Sequence, residues 1–259
     1  MSGPTPSTSG ARQRYQGTGT VLETPQQGPL LCLGVVLTSM PPQCGGPPIE
    51  GWDWAVVDNE ESLSGTTWGR FHVAGFYDGD VFMVTGAGPP PAETNEDDLI
   101  EAGCPEPAGG WDRPHPELQS AVDQQNAIAA ARREPDFAGA WIDYIGPATE
   151  DADAEDEILT LAFTEGLRRH EAAARRYWGG ALCVVHHDVT FERLREIQKD
   201  LDGEIGRELG LDIVFSDTSE YKGVVELGVT VITPAARQEI DQRYGEVVVE
   251  IDAGLHPIP

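Results

Sequence analysis

The chain has 259 residues, with 44 acidic side chains against 17 basic ones, a formal charge of −27 and an isoelectric point near 4.3. Such a surface repels phosphate backbones and anionic lipid headgroups, so nucleic-acid binding and peripheral membrane binding are excluded as expectations. No apolar run is long enough to cross a bilayer, and the length fits one large or two modest domains.

Residues 1–16 are rich in Ser, Thr, Pro and Gly and read as a disordered tail. The opening MSGPTPSTSG lacks the apolar stretch of a secretory leader, so the chain reads as cytoplasmic as written and exported if a leader is missing. Residues 17–86 carry five short strand signals and no helix, which predicts a small antiparallel β-barrel, OB-like in kind. The strands are expected at 18–23, at 30–37, at 52–57, and in a hairpin across 66–85 whose Asp78-Gly79 pair supplies the turn. Between the second and third, MPPQCGGPP forbids regular structure, because Pro lacks a donor and Gly permits positive φ. Cys32 and Cys44 bracket that strand and its exit loop. They can bridge and fasten the loop, or stay as two thiols with Cys32 a small buried hydrophobe. Their wide spacing and the lack of a Cys-x-x-Cys argue against zinc. Trp52 and Trp54 alternate onto one face of the expected strand, where they either fill the barrel or form a ligand platform.

Residues 87–137 read as an acidic Pro/Gly linker with one helix, at 116–133. Cys104 can pair with another cysteine, but nothing in the sequence places its partner or a role for Cys183. The run TEDADAEDE at 149–157 sets Asp151, Asp153 and Glu155 at alternate positions, the candidate metal ligands of the chain. It lacks the central glycine and the spaced bidentate Glu of a calcium-binding EF-hand loop and reads as a solvated loop.

Residues 138–259 have regular periodicity. Strands are expected at 140–145, 158–163, 181–187, 211–215, 224–232 and 246–251. Helices are expected at 165–177, at 191–209 and from a Thr233-Pro234 cap to Gly245. In the long helix Phe191, Leu194, Ile197, Leu201, Ile205 and Leu209 fall on one face. The order from Ala181 is β-α-β-β-α-β, the ferredoxin-like arrangement of an α/β sandwich, with one strand and helix before it. The expected fold class is therefore α+β, with two modules either side of a connector. Arg175-Arg176-Tyr177 and Gln242-Arg243-Tyr244 each close a helix ahead of a strand, which hints at internal repetition.

Each catalytic template fails. There is no Gly-x-Ser-x-Gly elbow, no phosphate-binding P-loop, no His-Glu-x-x-His, and no glycine fingerprint opening a helix. His170-Glu171 reads as a surface pair on an arginine-rich helix. His186 and His187 end a strand and point to opposite faces. No catalytic residue and no cofactor is assigned.

LCLGVV, PPQCGGP, GWDW, TTWG, YDG, YWGGALCVV and YGEVVV together resemble an uncharacterised family of high-GC Gram-positive bacteria whose members are often labelled hypothetical or exported. The resemblance brings no activity, fold or catalytic residue with it. It implies an extracytoplasmic setting for some relatives, which favours a Cys32–Cys44 bridge. The leading functional expectation is a non-catalytic binding or interaction protein with a protein or small-molecule partner. Its candidate surfaces are the loop at 39–51 and the exposed sheet of the second domain. The alternatives are an enzyme or divalent-cation protein using clustered carboxylates, and an acidic structural accessory.

Overall fold

The computed structural model describes residues 12–92, 103–144 and 157–259 and is of mixed α+β class. Asp151, Asp153 and Glu155 lie outside the described residues. Among the described residues no helix is long and apolar enough to cross a membrane.

A seven-stranded sheet curls into a nearly closed barrel. Its spine is the antiparallel pair of β1 (Arg14–Thr24) and β5 (Thr66–Tyr77). β2 (Gln27–Cys32) folds back along β1, and β4 (Glu61–Leu63) flanks the start of β5. β6 (Phe82–Gly88) follows β5 through the expected Asp78-Gly79 turn, where Asp78 Oδ1 accepts from the amides of Asp80 and Val81. β3 (Ile49–Glu50) runs parallel to β6. The seam is closed by two prolines that offer carbonyls but no N–H. Leu31 N donates to Pro47 O and Phe82 N to Pro48 O, each at 2.9 Å, so the stretch that forbids regular structure joins β2 to β6.

Three local expectations are corrected here. Arg14, Tyr15 and Gln16, assigned to the tail, lie in β1. They pair both with β5 and with β13 (His256–Ile258), the last strand of the chain. The barrel therefore draws on both ends of the sequence, and Leu255 is buried in its core beside Val21, Leu31, Phe71, Val73 and Phe82. β2 stops at Cys32 rather than running to Leu37. The strand expected at 52–57 is instead a single 3-10 turn, Trp54–Val56, because the Asp53 side chain accepts from Ala55 N at 2.9 Å and curls the backbone.

The remainder is one plan used twice. α1 (Ala121–Ala131), β7 (Phe137–Tyr144), β8 (Glu157–Phe163), α2 (Leu167–Ala174) and β9 (Ala181–His186) form the first unit. The second is α3 (Phe191–Asp202) with α4 (Glu204–Glu208), β10 (Ile213–Ser219), β11 (Val224–Val229), α5 (Pro234–Tyr244) and β12 (Val249–Ala253). In each, an antiparallel hairpin is followed by a helical crossover to a parallel third strand. The correspondence holds residue by residue. Thr164 N donates to Asp136 O, and Thr230 N to Asp212 O, both at 2.9 Å. His187 N reaches Phe163 O at 3.1 Å, and Gly254 N reaches Val229 O at 2.9 Å. Both hairpins shift register at their first strand's second residue, after Phe137 and after Ile213. Tyr177 lies in the turn after α2 and Tyr244 ends α5, each on the way into the parallel third strand, so the short sequence echo falls at matching places of the repeat.

This plan replaces the ferredoxin-like arrangement. The β-α-β-β-α-β order is present, but β9 pairs with β8 and belongs to a separate three-stranded sheet from β10, β11 and β12. A strand delivered by a crossover lies beside the strand that preceded the helix. The strand and helix that sequence order left as extras are thus β9's own partners. The long helix expected at 191–209 is broken at Gly203, whose φ of −101° and ψ of −124° are not helical.

Each unit has its own core. Leu159, Leu161 and Phe163 pack against Ala127, Ala174 and Trp178 in the first. Val225, Leu227 and Val229 pack against Leu194, Ile197, Leu201 and Ile240 in the second. Leu255, at 1% exposure, ties the second unit to the barrel. Leu255→Ala should cost about 2–5 kcal/mol, read by urea unfolding followed by tryptophan fluorescence and far-UV circular dichroism.

Candidate binding face

A three-stranded sheet covered by helices on one side has a second face to account for. Register fixes which residues share it, since directly paired residues point the same way. In the first unit the back face carries the cross-strand row Trp141–Thr160–Cys183 and, next to it, Gly139–Ala162–Val185. This face is sealed. Cys104 is bridged to Cys183, and Trp111 packs with Cys104 against Ile158, Ala181, Cys183 and Val185. Gly103 lies so close that a side chain on it would begin 3.2 Å from the Trp141 ring. The Cys104 partner that the sequence could not place is thus Cys183, and the linker is fastened to this sheet. Beneath it Asp143 is buried, its Oδ2 accepting from Thr160 Oγ1 at 2.6 Å, Trp141 Nε1 at 3.1 Å and Gly103 N at 3.4 Å.

The corresponding rows of the second unit read Asp217–Glu226–Glu250 and Phe215–Gly228–Asp252. Where the first unit has Trp, Thr, Cys and Val, this one has four carboxylates. No segment among the described residues covers them. Three of them, Glu226, Glu250 and Asp252, border an open cavity of about 390 Å3 that Phe215 and Lys222 also line. Gly228 is required there, because the Phe215 ring lies flat across it and leaves no room for a Cβ. Lys222 reaches in from the β10–β11 turn, its Nζ 2.8 Å from Glu226 and 2.9 Å from Glu250. The hydrogen bonds it donates to Glu226 and then Glu250 hold this ammonium protonated well above the ordinary lysine range. Like charges directly opposed across strands are destabilising. One lysine compensates part of the row, and among the described residues Asp217 and Asp252 have no cationic partner.

The residues singled out from sequence fall elsewhere. Cys32 and Cys44 are bridged, with Cα atoms 5.9 Å apart, and clip the Pro/Gly loop to the barrel. Trp52 and Trp54 are partly buried on the barrel core, their rings 5.3 Å apart and edge to face, and both contact Phe71. Trp54 Nε1 donates to Glu23 Oε2 at 2.5 Å.

His170 is not on the surface. It is buried on α2, stacked on Phe163 with ring centroids 3.7 Å apart, and its Nε2 lies 2.8 Å from Asp136 Oδ2. The spacing Leu167, His170, Ala174 along one helix face was the missed signal. Glu134, Asp136 and His170 bring three metal-type donors within 4.8 Å of one another. However, the Arg169 Nη2 stands 2.9 Å from both Asp136 Oδ2 and His170 Nε2, so a guanidinium already holds the point a cation would take. We read the cluster as a structural link between α2 and the start of β7. A cavity of about 790 Å3 along the wet side of α3 is lined by charges of both signs, among them Arg195, Lys199, Glu192 and Glu196, and has no converging set.

Burial raises the Asp136 carboxyl, but the His170 hydrogen bond and the Arg169 charge outweigh it and hold the group below its ordinary 3.8. The link therefore stabilises fully above that value and is lost as pH falls through the lower folded value. Asp136→Asn should be destabilised at neutral pH, with the gap to the parent protein closing as the pH drops below about 4, measured by urea unfolding across pH.

No protein-family model matches this chain, and comparison with curated proteins finds no match.

Proposed function

We propose that this protein is a non-catalytic binding protein whose working surface is the open face of β10, β11 and β12. The observation that carries the reading is the contrast between two equivalent faces of one repeat. One is apolar and sealed by a disulfide-anchored segment, and the other carries four carboxylates, three of them in one row, with no described segment over them. A face kept only for folding would not hold Asp217, Glu226 and Glu250 in one row, since neutral residues there would stabilise the sheet. The barrel, which we read as OB-like in its small size and mostly antiparallel pairing, is the platform to which the second unit is docked. The converging nucleophile, base and oxyanion donors that catalysis requires are not among the groups on this face.

The reading makes a stability test. The double variant Asp217→Asn/Asp252→Asn should be as stable as the parent or more stable by about 0.2–1 kcal/mol. A loss above about 1 kcal/mol in urea unfolding would show that these carboxylates serve the fold instead.

All four cysteines are paired, Cys32 with Cys44 and Cys104 with Cys183. Both bridges favour an oxidising compartment, where such bonds persist. Alkylation of the denatured native protein should label no cysteine without reductant and four with it, read by intact mass.

A further inference from the structure

Resting on the reading of this face as the working surface, we infer that its occupant is a non-helical, arginine-bearing segment of a partner polypeptide. Three observations define that chemistry. The first is the shape of what covers the sister face. There the stretch from Gly103 to Trp111 crosses the row Trp141–Thr160–Cys183 as non-helical, non-strand chain. Because the two units share register and bulge position, an irregular, non-helical backbone fits the same course over Asp217–Glu226–Glu250. The sister face grips its segment by a disulfide and apolar packing. At the matching positions the open face offers charge instead, Glu250 at the place of Cys183 and Asp252 at the place of Val185.

The second observation is the pairing of an aromatic ring with those carboxylates. Phe215 lies flat on Gly228, and Asp252 is the next residue in the same row. A guanidinium can lie on a ring face and still present its planar fork to a carboxylate beside it, which an ammonium cannot do as well. Lys222, bridging Glu226 and Glu250, shows that the adjacent row accepts a cationic side chain between two carboxylates.

The third observation excludes the chain's own undescribed stretches as the occupant. Residues 1–11, 93–102 and 145–156 contain no lysine or arginine, and the last two are dense in Asp and Glu. None of them brings the cationic side chain this face calls for. The complementary segment comes from another protein.

The experiment uses the full chain, labelled with nitrogen-15, and three synthetic peptides of equal length. In these, alternate positions are arginine, lysine or glutamine and the remainder are serine and glycine. The arginine peptide should shift the amides of Phe215, Gly228 and Asp252 and bind more tightly than the lysine peptide, with affinity falling steeply as salt is raised. Glu226→Gln/Asp252→Asn should weaken it by about tenfold or more. Glu60→Gln/Glu61→Gln, which removes equal charge from exposed positions on the barrel, should change it by less than about twofold. Phe215→Leu, which keeps an apolar side chain over Gly228, should narrow the gap between the arginine and lysine peptides. Asp252→Asn alone, which leaves both Lys222 links in place, guards against a double variant that fails to fold. It should weaken the arginine peptide without moving the unfolding midpoint.

Equal binding of the glutamine peptide at these amides would overturn the cationic occupant while keeping the face as the working surface. Equal weakening by the barrel control would reduce the effect to non-specific attraction to an acidic protein and overturn the proposal. Shifts on the sister face or the barrel, with none at Phe215, Gly228 and Asp252, would overturn both this inference and the reading it rests on.

Discussion

A small sheet with helices packed on one side leaves its other face to be filled by something, and this constraint organises the second half of the molecule. The repeat meets it in two ways with the same backbone. In the first unit the face is built from Trp141, Thr160, Ala162, Cys183 and Val185, and the incoming chain at Gly103, Cys104 and Trp111 closes it covalently. In the second unit the same positions are charged, and no described segment closes the face. The helical faces behave alike in both copies, with a leucine, valine and phenylalanine core beneath two helices.

Where sequence reasoning worked, the determinants were local. Asp78-Gly79 makes a turn through its own side chain and backbone, and Leu194, Ile197 and Leu201 mark a buried helix face by spacing alone. Thr190 and Thr233 cap the helices that follow them for the same reason. Where it fell short, the determinants were long-range pairings. β9 could have paired with β8 or with strands further on, and nothing in Ala181–His186 chooses between them. Cys104 and Cys183 are 79 residues apart. The exposed sheet of the second domain was legible as a surface, but Asp217, Glu226, Glu250 and Asp252 looked like scattered acids until register put them in adjacent rows. Asp53 misled in the opposite sense. Its alternation with two tryptophans suggests a strand, and its side chain instead caps a turn.

The barrel shows how a stretch hostile to regular structure becomes a structural joint. Pro47 and Pro48 cannot donate, so they cannot extend a sheet in both directions, but their carbonyls accept from Leu31 and Phe82. The Cys32–Cys44 bridge holds the loop entering that joint. On the other side of β1, the chain's last strand pairs with Arg14, Tyr15 and Gln16, so the barrel is finished only when the second unit is in place. Tyr77 of β5 adds a polar tie, donating to Asp212 at 3.0 Å, and burial together with this bond raises its phenol above the ordinary range. Asp212 is the counterpart of Asp136. In the first unit that position is tied to His170 and Arg169 of its own helix, and in the second to the barrel.

Net charge alone says little about where a protein works, because a charge of −27 spread evenly is a solubility device. What distinguishes the open face is that its acids are opposed at strand spacing, where dispersal would have cost nothing. Lys222 spans two of them from the edge of the same hairpin and relieves the row in the free protein. That arrangement keeps the unliganded sheet intact while leaving Asp217 and Asp252 unneutralised beside an aromatic ring. A cation brought by a partner would therefore recover repulsion the sheet already carries as well as form new contacts. On this account the face discriminates by charge and planarity before it discriminates by shape.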